Sequence, residues 1–196
     1  MASEPTSAQA PPDSVALVRA LLGTLQVPHL EPNFPEWGEE TPARFVRGLQ
    51  ELISGYDQDP GEILMKRFSS DSDEMVCLRE VPYYSLCEHH MLPVIGKVSL
   101  AYIPSNGIVV GLSKLARLVE CFSRRFQLQE RMGDQIATAL FSQLRPQGVG
   151  VIVRGQHLCM RIRGARSEGE MVTSHLLGKM REDPAVRAEF MQLAGS

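Results

Sequence analysis

The sequence predicts an α+β fold: an antiparallel sheet with two helices packed on one face, preceded by an N-terminal helical arm. Three observations predict it. Helical periodicity occupies the first third of the chain, strand-like runs follow near 74–84 and 94–104, and two amphipathic helical segments then precede a last strand-like run near 149–164. Helices, strands, helices and strands in that order describe segregated elements, not the regular β-then-α alternation of a parallel sheet. A length of 196 residues suits one domain with an appended arm. The expected boundaries are a disordered tail over 1–13, a helical region over 14–70 and a sheet-bearing domain over 71–196.

Each element has a local reason. Residues 1–14 are rich in Ala, Pro, Ser and Glu and too polar to bury a core. From Ser14, a candidate N-cap, Val15, Leu17, Val18, Leu21, Leu22 and Leu25 form an apolar stripe. VPHLEPNFPEWGEE carries three prolines and reads as a loop. Thr41-Pro42 then opens a second helix, with Thr as N-cap, Pro at the first helical position and an apolar face of Phe45, Val46, Leu49, Leu52 and Ile53. It stops at Gly55, and a short helix is expected over Pro60–Phe68. EMVCLREVPYY reads as a strand, SLCEHHMLP as a loop and VIGKVSLAYIP as a second strand, with Gly107 turning the chain after it. In LSKLARLVECFSRR, residues Leu112, Leu115, Leu118, Val119 and Phe122 share a helical face. Gln129 to Leu144 is a second helix, ended by Pro146 and Gly148. VGVIVRGQHLCMRIRG gives two short strands or one bent strand, and a last helix lies near Pro184–Leu193.

Composition excludes several classes. Lys plus Arg is 20 and Asp plus Glu is 23, a formal charge of −3, which does not suit binding nucleic acid through bulk charge. No apolar run approaches the roughly 20 residues of a membrane span. The first residues lack the basic and apolar regions of a secretory signal. Four cysteines are too few for a disulfide scaffold. The expectation is a cytoplasmic protein with no nucleic-acid or membrane partner and thiols free for metal or chemistry.

Two clusters carry chemistry. Cys87-Glu88-His89-His90 holds thiolate and imidazole three residues apart, the preferred donors for zinc. The competing reading is a buried cysteine beside surface histidines. In QHLCMRIRG, strand alternation places His157, Cys159, Arg161 and Arg163 on one face and Leu158, Met160 and Ile162 on the other. Cys87, one of the two CEHH histidines and Cys159 would make three protein ligands and leave a fourth position for water, as in catalytic zinc sites. The spare histidines, one per cluster, would exchange protons near neutral pH. Cys77, in an apolar strand, and Cys121, beside an apolar helix face, read as core. At the GLSK helix start, Ser113, Lys114 and Arg117 suit a phosphate, against the simpler reading of a solvated face. Gln129 and Glu130 open the next helix. A carboxylate there could accept two N–H donors from an amidine-like edge such as that of guanine, although a capping or surface glutamate is the simpler explanation from spacing alone.

Taken together, TPARF, SLCEHHMLP, GK, AYIP, GLSKLAR, RRFQLQER, GVGVIV, HLCMRIRG and VTSHLLG make the sequence resemble the GTP cyclohydrolase I family from about Thr41 onward. The resemblance implies the tunnelling fold, or T-fold, for 71–196, and a homodecamer of two pentamers with active sites between subunits. It implies zinc on Cys87, His90 and Cys159, with His89 and His157 as acid–base groups. It places Glu130 at the guanine edge, Gln129 and Ser113 near the purine and ribose, and Lys114, Arg117 and Arg163 on the triphosphate. The implied reaction hydrolyses the imidazole ring of GTP at C8, releases formate and rearranges the ribose to give 7,8-dihydroneopterin triphosphate. That is the first step of pterin and tetrahydrofolate biosynthesis. His89 would protonate N7, and His157 and Ser113 would assist the rearrangement. Shared sites would also mean that Cys87 and Glu130 of one site need not come from one chain.

Phe126, Val94, Ser99 and Met180 depart from the common family pattern, and none is an expected ligand or acid–base group. Three alternatives compete: a related T-fold enzyme acting on another purine or pterin, a non-catalytic binding protein that kept the fold, and a structural zinc module. Ser113, Lys114 and Glu130 speak against the first, His89 and His157 against the second, and the lack of a compelling fourth ligand against the third.

Overall fold

The structure, a computed structural model, describes residues 10–25 and 37–195, with the side chains of 37–39 outside that description. The expected loop over 27–40 falls mostly outside it, as does most of the expected tail. The chain divides into two compact units, Met1–Leu52 and Ile53–Ser196.

In the first unit, α1 spans Pro12–Thr24 and α2 spans Trp37–Leu52. α1 begins two residues before Ser14 because Pro12 fits a first helical turn, where its missing N–H costs nothing. Of the predicted stripe, Val15, Val18 and Leu22 are half-buried, while Leu17, Leu21 and Leu25 stay exposed. α2 starts upstream of the Thr41-Pro42 pair, which corrects the expected N-cap: Pro42 lies inside the helix. Val46 is buried and Phe45 is exposed on this helix.

The second unit opens with a 3-10 turn at Ser54–Asp57 and a single-turn helix α3, Pro60–Ile63, capped by Asp59, whose carboxylate accepts from the Gly61 N–H at 2.7 Å. α3 is shorter than expected, and Phe68 belongs instead to strand β1, Arg67–Ser69. Strands β2, Val76–Cys87, and β3, Pro93–Ile103, form a long antiparallel hairpin, so SLC of the predicted loop is strand. β4, Ile108–Val110, pairs with β1. Helix α4 spans Leu112–Ser123, β5 is Phe126–Gln127, and α5 spans Gln129–Leu144. α5 ends where Arg145 takes a left-handed conformation, φ 47°, with Pro146 beyond it. Then come β6, Gly148–His157, single-turn α6, Leu158–Arg161, β7, Met171–Gly178, single-turn α7, Lys179–Glu182, and α8, Pro184–Leu193.

The main sheet runs β5-β2-β3-β6-β7. Its four long strands are antiparallel, and β5 adds two residue pairs parallel to β2. Alternation assigns the faces. Leu100, Tyr102, Val149, Val151 and Val153 point to α4 and α5, which contribute Leu115, Leu118, Phe122, Met132, Ile136 and Leu140. This is the predicted arrangement of two helices on one face. Ala101, Ile103 and Ile152 point the other way, where Met180, Phe190 and Ala194 cover one end of the second face. At Gly150 a side chain would meet Met180 Sδ and Phe190 Cε1 at 2.6 Å, so glycine admits this C-terminal cover. Of the departures noted in the sequence, Val94 joins the first core and Met180 the second, while Phe126 is half-buried in β5. The buried Ser99 hydroxyl accepts from the Glu80 N–H at 3.3 Å and donates to Ala194 O at 3.4 Å, tying β3 to the chain end.

Candidate metal centre and active site

Several of the side chains singled out in the sequence gather at one end of the sheet. Register places Ser85, Val94 and His157 in one row across β2, β3 and β6, with Cys87 one step beyond. A tight turn follows Cys87. Its N–H donates to Leu92 O at 2.8 Å, and its carbonyl accepts from Met91 N at 2.8 Å and His90 N at 3.2 Å. Met91 is held at φ 53°, a conformation that costs a non-glycine residue about 1–2 kcal/mol. This turn folds His90 back on its own strand, with His90 Nδ1 3.6 Å from Cys87 Sγ.

The third member arrives from β6. The strand ends at His157 and the chain turns helical through Leu158–Arg161, which corrects the predicted strand alternation through Arg163. Ile162 and Arg163 are exposed, and Arg161 donates to Gln156 Oε1 at 2.7 Å instead of sharing a strand face with Cys159. The turn nevertheless delivers Cys159. One ligand atom each from Cys87, His90 and Cys159 lies within 4.8 Å of the others, and the trio could hold a metal ion. Burial and the Cys87 thiol beside it push the Cys159 thiol up, and Arg163 pulls it back in part.

Around the trio, His89 is exposed, with its ring edge-on to His90 at 6.1 Å between centroids. His157 is half-buried. Burial lowers its pKa, and the Glu130 carboxylate partly opposes that shift. Its Nε2 lies 3.0 Å from Oε1 of Gln129, which is buried at the start of α5. Glu130, the next residue, is exposed.

Sequence reasoning missed the brace that joins these pieces. Glu88, between Cys87 and His89 of the CEHH run, pairs with Arg131 of α5, which holds the Glu88 carboxyl below its ordinary range. Arg131 also donates to Gln127 Oε1 at 3.1 Å and Phe126 O at 3.2 Å, and the Glu88 N–H donates to Gln127 O at 3.1 Å. The spacing carried one signal: Gln127 and Arg131 are four apart. Arg125 secures the same corner from below. Its guanidinium donates to Cys121 O at 2.7 Å and Gly55 O at 2.8 Å, while its carbonyl accepts from the Leu86 N–H at 3.3 Å. Cys121 is buried in this corner, as expected of a core thiol, and Cys77 is half-buried against the second core.

Within one chain, the GLSK residues stand apart from the trio. The C-terminal end of α4 adjoins the Cys87 end of β2 through Arg125, whereas its N-terminal end follows β4, where Val110 N donates to the Tyr102 hydroxyl at 3.0 Å. Ser113 and Ser123 are ten residues apart on α4, about 15 Å of helix. Ser113, Lys114 and Arg117 therefore occupy the first two turns, at the end remote from the metal-capable trio.

Two thiols and an imidazole that could share one metal ion, beside a second imidazole and a carboxylate at the rim of an antiparallel sheet, fit a metal-dependent enzyme. The chain belongs to the GTP cyclohydrolase I family, whose model matches residues 30–195. It is 51% identical over 156 residues to a GTP cyclohydrolase 1 of Desulforamulus reducens, covering 79% of this chain and 83% of that one. A GTP cyclohydrolase 1 of Pelotomaculum thermopropionicum is 49% identical over 154 residues, covering 78% and 82%. One from a Janthinobacterium species is 47% identical over 171 residues, covering 85% of each chain. Among solved structures, an apo archaeosine synthase QueF-Like matches 55% of this chain at TM-score 0.47 and 19% identity.

Proposed function

We propose that this chain is a GTP cyclohydrolase I that hydrolyses the guanine imidazole ring of GTP, releases formate and forms 7,8-dihydroneopterin triphosphate. The observation that carries the reading is the convergence of Cys87, His90 and Cys159 ligand atoms within 4.8 Å. Two sulfurs and one imidazole nitrogen fit zinc better than harder ions, and three protein ligands leave a position open. Zinc bound there supplies Lewis acidity and water activated near neutral pH.

The remaining chemistry falls to the chain's own residues. Glu130, exposed at the first turn of α5, accepts the N1–H and N2–H donors of guanine. His89 gives a proton to N7 as the ring opens. His157 and Ser113 move protons on the ribose during rearrangement, and Gln129 supports the purine end of the site. Lys114, Arg117 and Arg163 neutralise the triphosphate.

Lys114 lies nine residues, about 14 Å of helix, from Ser123 at the α4 end nearest Cys87, which supports a site completed by a second copy. A homo-oligomer that brings the GLSK turn of one subunit to the metal trio of another completes the site, and a decamer of two pentamers is the assembly proposed. Cys87 and Glu130, by contrast, are joined within one chain by the Glu88–Arg131 pair between their neighbours. The pair to test for sharing is therefore Cys87 with Lys114. No helix among the described residues is long and apolar enough to cross a membrane. A cytoplasmic location, with no membrane or nucleic-acid partner, goes with the reading.

Purified protein incubated with GTP, with and without a zinc chelator, tests it. Formate and, after oxidation, fluorescent neopterin should both form, vanish on chelation and return with zinc. No product from assembled, zinc-loaded protein would overturn the reading. Formate without the pterin would place the fault in the ribose steps served by His157 and Ser113.

A further inference from the structure

We infer that Gln127 is a positioning residue whose buried side chain locks the turn over 87–91 in the shape that aims Cys87 and His90 at one ion. The inference rests on the metal reading of the Cys87, His90 and Cys159 trio.

The turn needs a support. Met91 occupies the left-handed region at φ 53°, and the His90 and Met91 N–H groups both close onto the Cys87 carbonyl. A backbone held that way persists where its surroundings over-determine it. The element that touches the turn is β5, whose register sets Phe126 beside Leu86 and Gln127 beside Cys87. Gln127 O accepts from the Glu88 N–H at 3.1 Å, so β5 reaches past Cys87 into the turn itself. Yet β5 contributes only two parallel residue pairs at the sheet edge, too short a ladder to hold itself in place.

The Gln127 side chain supplies the missing rigidity. Gln127 is 5% exposed, and both polar atoms of its amide are bonded. Nε2 lies 2.8 Å from Phe122 O and 2.8 Å from Gln135 Oε1, and Oε1 lies 3.1 Å from Arg131 Nε. A backbone carbonyl only accepts and a guanidinium only donates. Each contact separately fixes the amide, with its NH2 toward Phe122 and its oxygen toward Arg131. Phe122 O belongs to the last turn of α4, where carbonyls lack a partner within the helix. Arg131 and Gln135 lie one turn apart on α5. One amide therefore fastens the end of α4, the first turns of α5 and the Cys87 end of β2 to one another. Arg131 tightens the same joint, donating to Phe126 O at 3.2 Å and pairing with the Glu88 carboxylate. A buried polar network with its members satisfied specifies one arrangement. None of these bonds uses a thiol or an imidazole of the trio, so the ligand atoms stay available to an ion.

The full-length, assembled Gln127→Met protein tests this, since methionine keeps the length of the side chain and loses the amide. Competition with a chelator should show zinc bound about tenfold more weakly, the lower end of what losing a support outside the ligand set costs. A tenfold loss corresponds to a turn formed about a tenth of the time before zinc binds. Hydrogen exchange over residues 87–92 reads that population. Zinc-free unaltered protein should protect the Glu88, His90 and Met91 amides, and the variant should exchange them near the rate of an unstructured chain. Turnover by the variant should be low at limiting zinc and return with excess zinc, which general damage to the fold would not allow. Ile152→Val, a lesion in the second core, should leave zinc affinity unchanged. Free exchange of the three amides in zinc-free unaltered protein overturns the inference, and decides even where Gln127→Met fails to fold. So does a folded Gln127→Met with undiminished zinc affinity, or an equal loss from Ile152→Val. An unaltered protein that binds no zinc would instead remove the metal reading, and comparing exchange in the two proteins would still decide whether Gln127 holds the turn.

Discussion

Gly133 sits in the interior of α5, where glycine costs about 1 kcal/mol relative to alanine. Taken alone, Gly133→Ala should stabilise. The structure opposes that gain, because a Cβ at 133 would come within 2.6 Å of Nε2 of His175 on β7. His175 Nε2 is buried with no hydrogen-bond partner among the described residues, so no hydrogen bond at Nε2 draws the ring out of the way. Forcing a methyl group into such contact costs about 1–3 kcal/mol. The clash outweighs the propensity gain by about 1 kcal/mol, or roughly 2–4 °C in melting temperature for a chain of this size. In a His175→Ala background the obstacle is gone, and the same substitution should stabilise by about 1 kcal/mol. The coupling across the double-mutant cycle is then about 2 kcal/mol. Thermal melts of the four proteins at one fixed concentration measure it, since assembly shifts apparent stability with concentration. Stabilisation by Gly133→Ala in the native background, or an equal effect in both, would refute close α5–β7 approach as the reason for this glycine.

Three further outcomes are expected. Cys87→Ser and Cys159→Ser should each lose bound zinc and turnover together, read by metal analysis and neopterin fluorescence; a full metal complement would disprove the ligand assignment. Lys114→Ala and Cys159→Ser proteins, each inactive alone, should recover part of the activity when mixed under conditions of subunit exchange, and no recovery would count against a site shared between chains. Phe190→Ala should cost about 3–5 kcal/mol by emptying the second core, read by chemical denaturation, because Phe190 is fully buried against Met180 and Ala194.

What the sequence disclosed depended on how local the cause was. α5 is bounded as expected because its apolar face, its left-handed Arg145 and Pro146 are all local. The start of α2 was misplaced because Pro42 is a common first-turn residue, yet here it lies within a longer helix. The strand reading of 157–163 failed at His157, where the backbone leaves β6 for a helical turn; His and Cys two apart look the same in either conformation. β7 was invisible because its residues alternate only weakly between half-buried and exposed, and its pairing with β6 is a long-range fact. The metal-capable trio was legible by motif. The contacts that the Tyr83 hydroxyl and His157 Nε2 make with Gln129 Oε1 were not, since Tyr83 is one of two adjacent tyrosines and only register with Gly96 and Gly155 distinguishes it from the exposed Tyr84.

X-ray absorption spectroscopy of the zinc-loaded protein tests the metal centre most directly. Two sulfur ligands near 2.3 Å and one nitrogen with one further light atom near 2.0–2.1 Å are expected. A single sulfur in the unaltered protein, or four protein ligands with no open position, would contradict a catalytic site built from Cys87, His90 and Cys159.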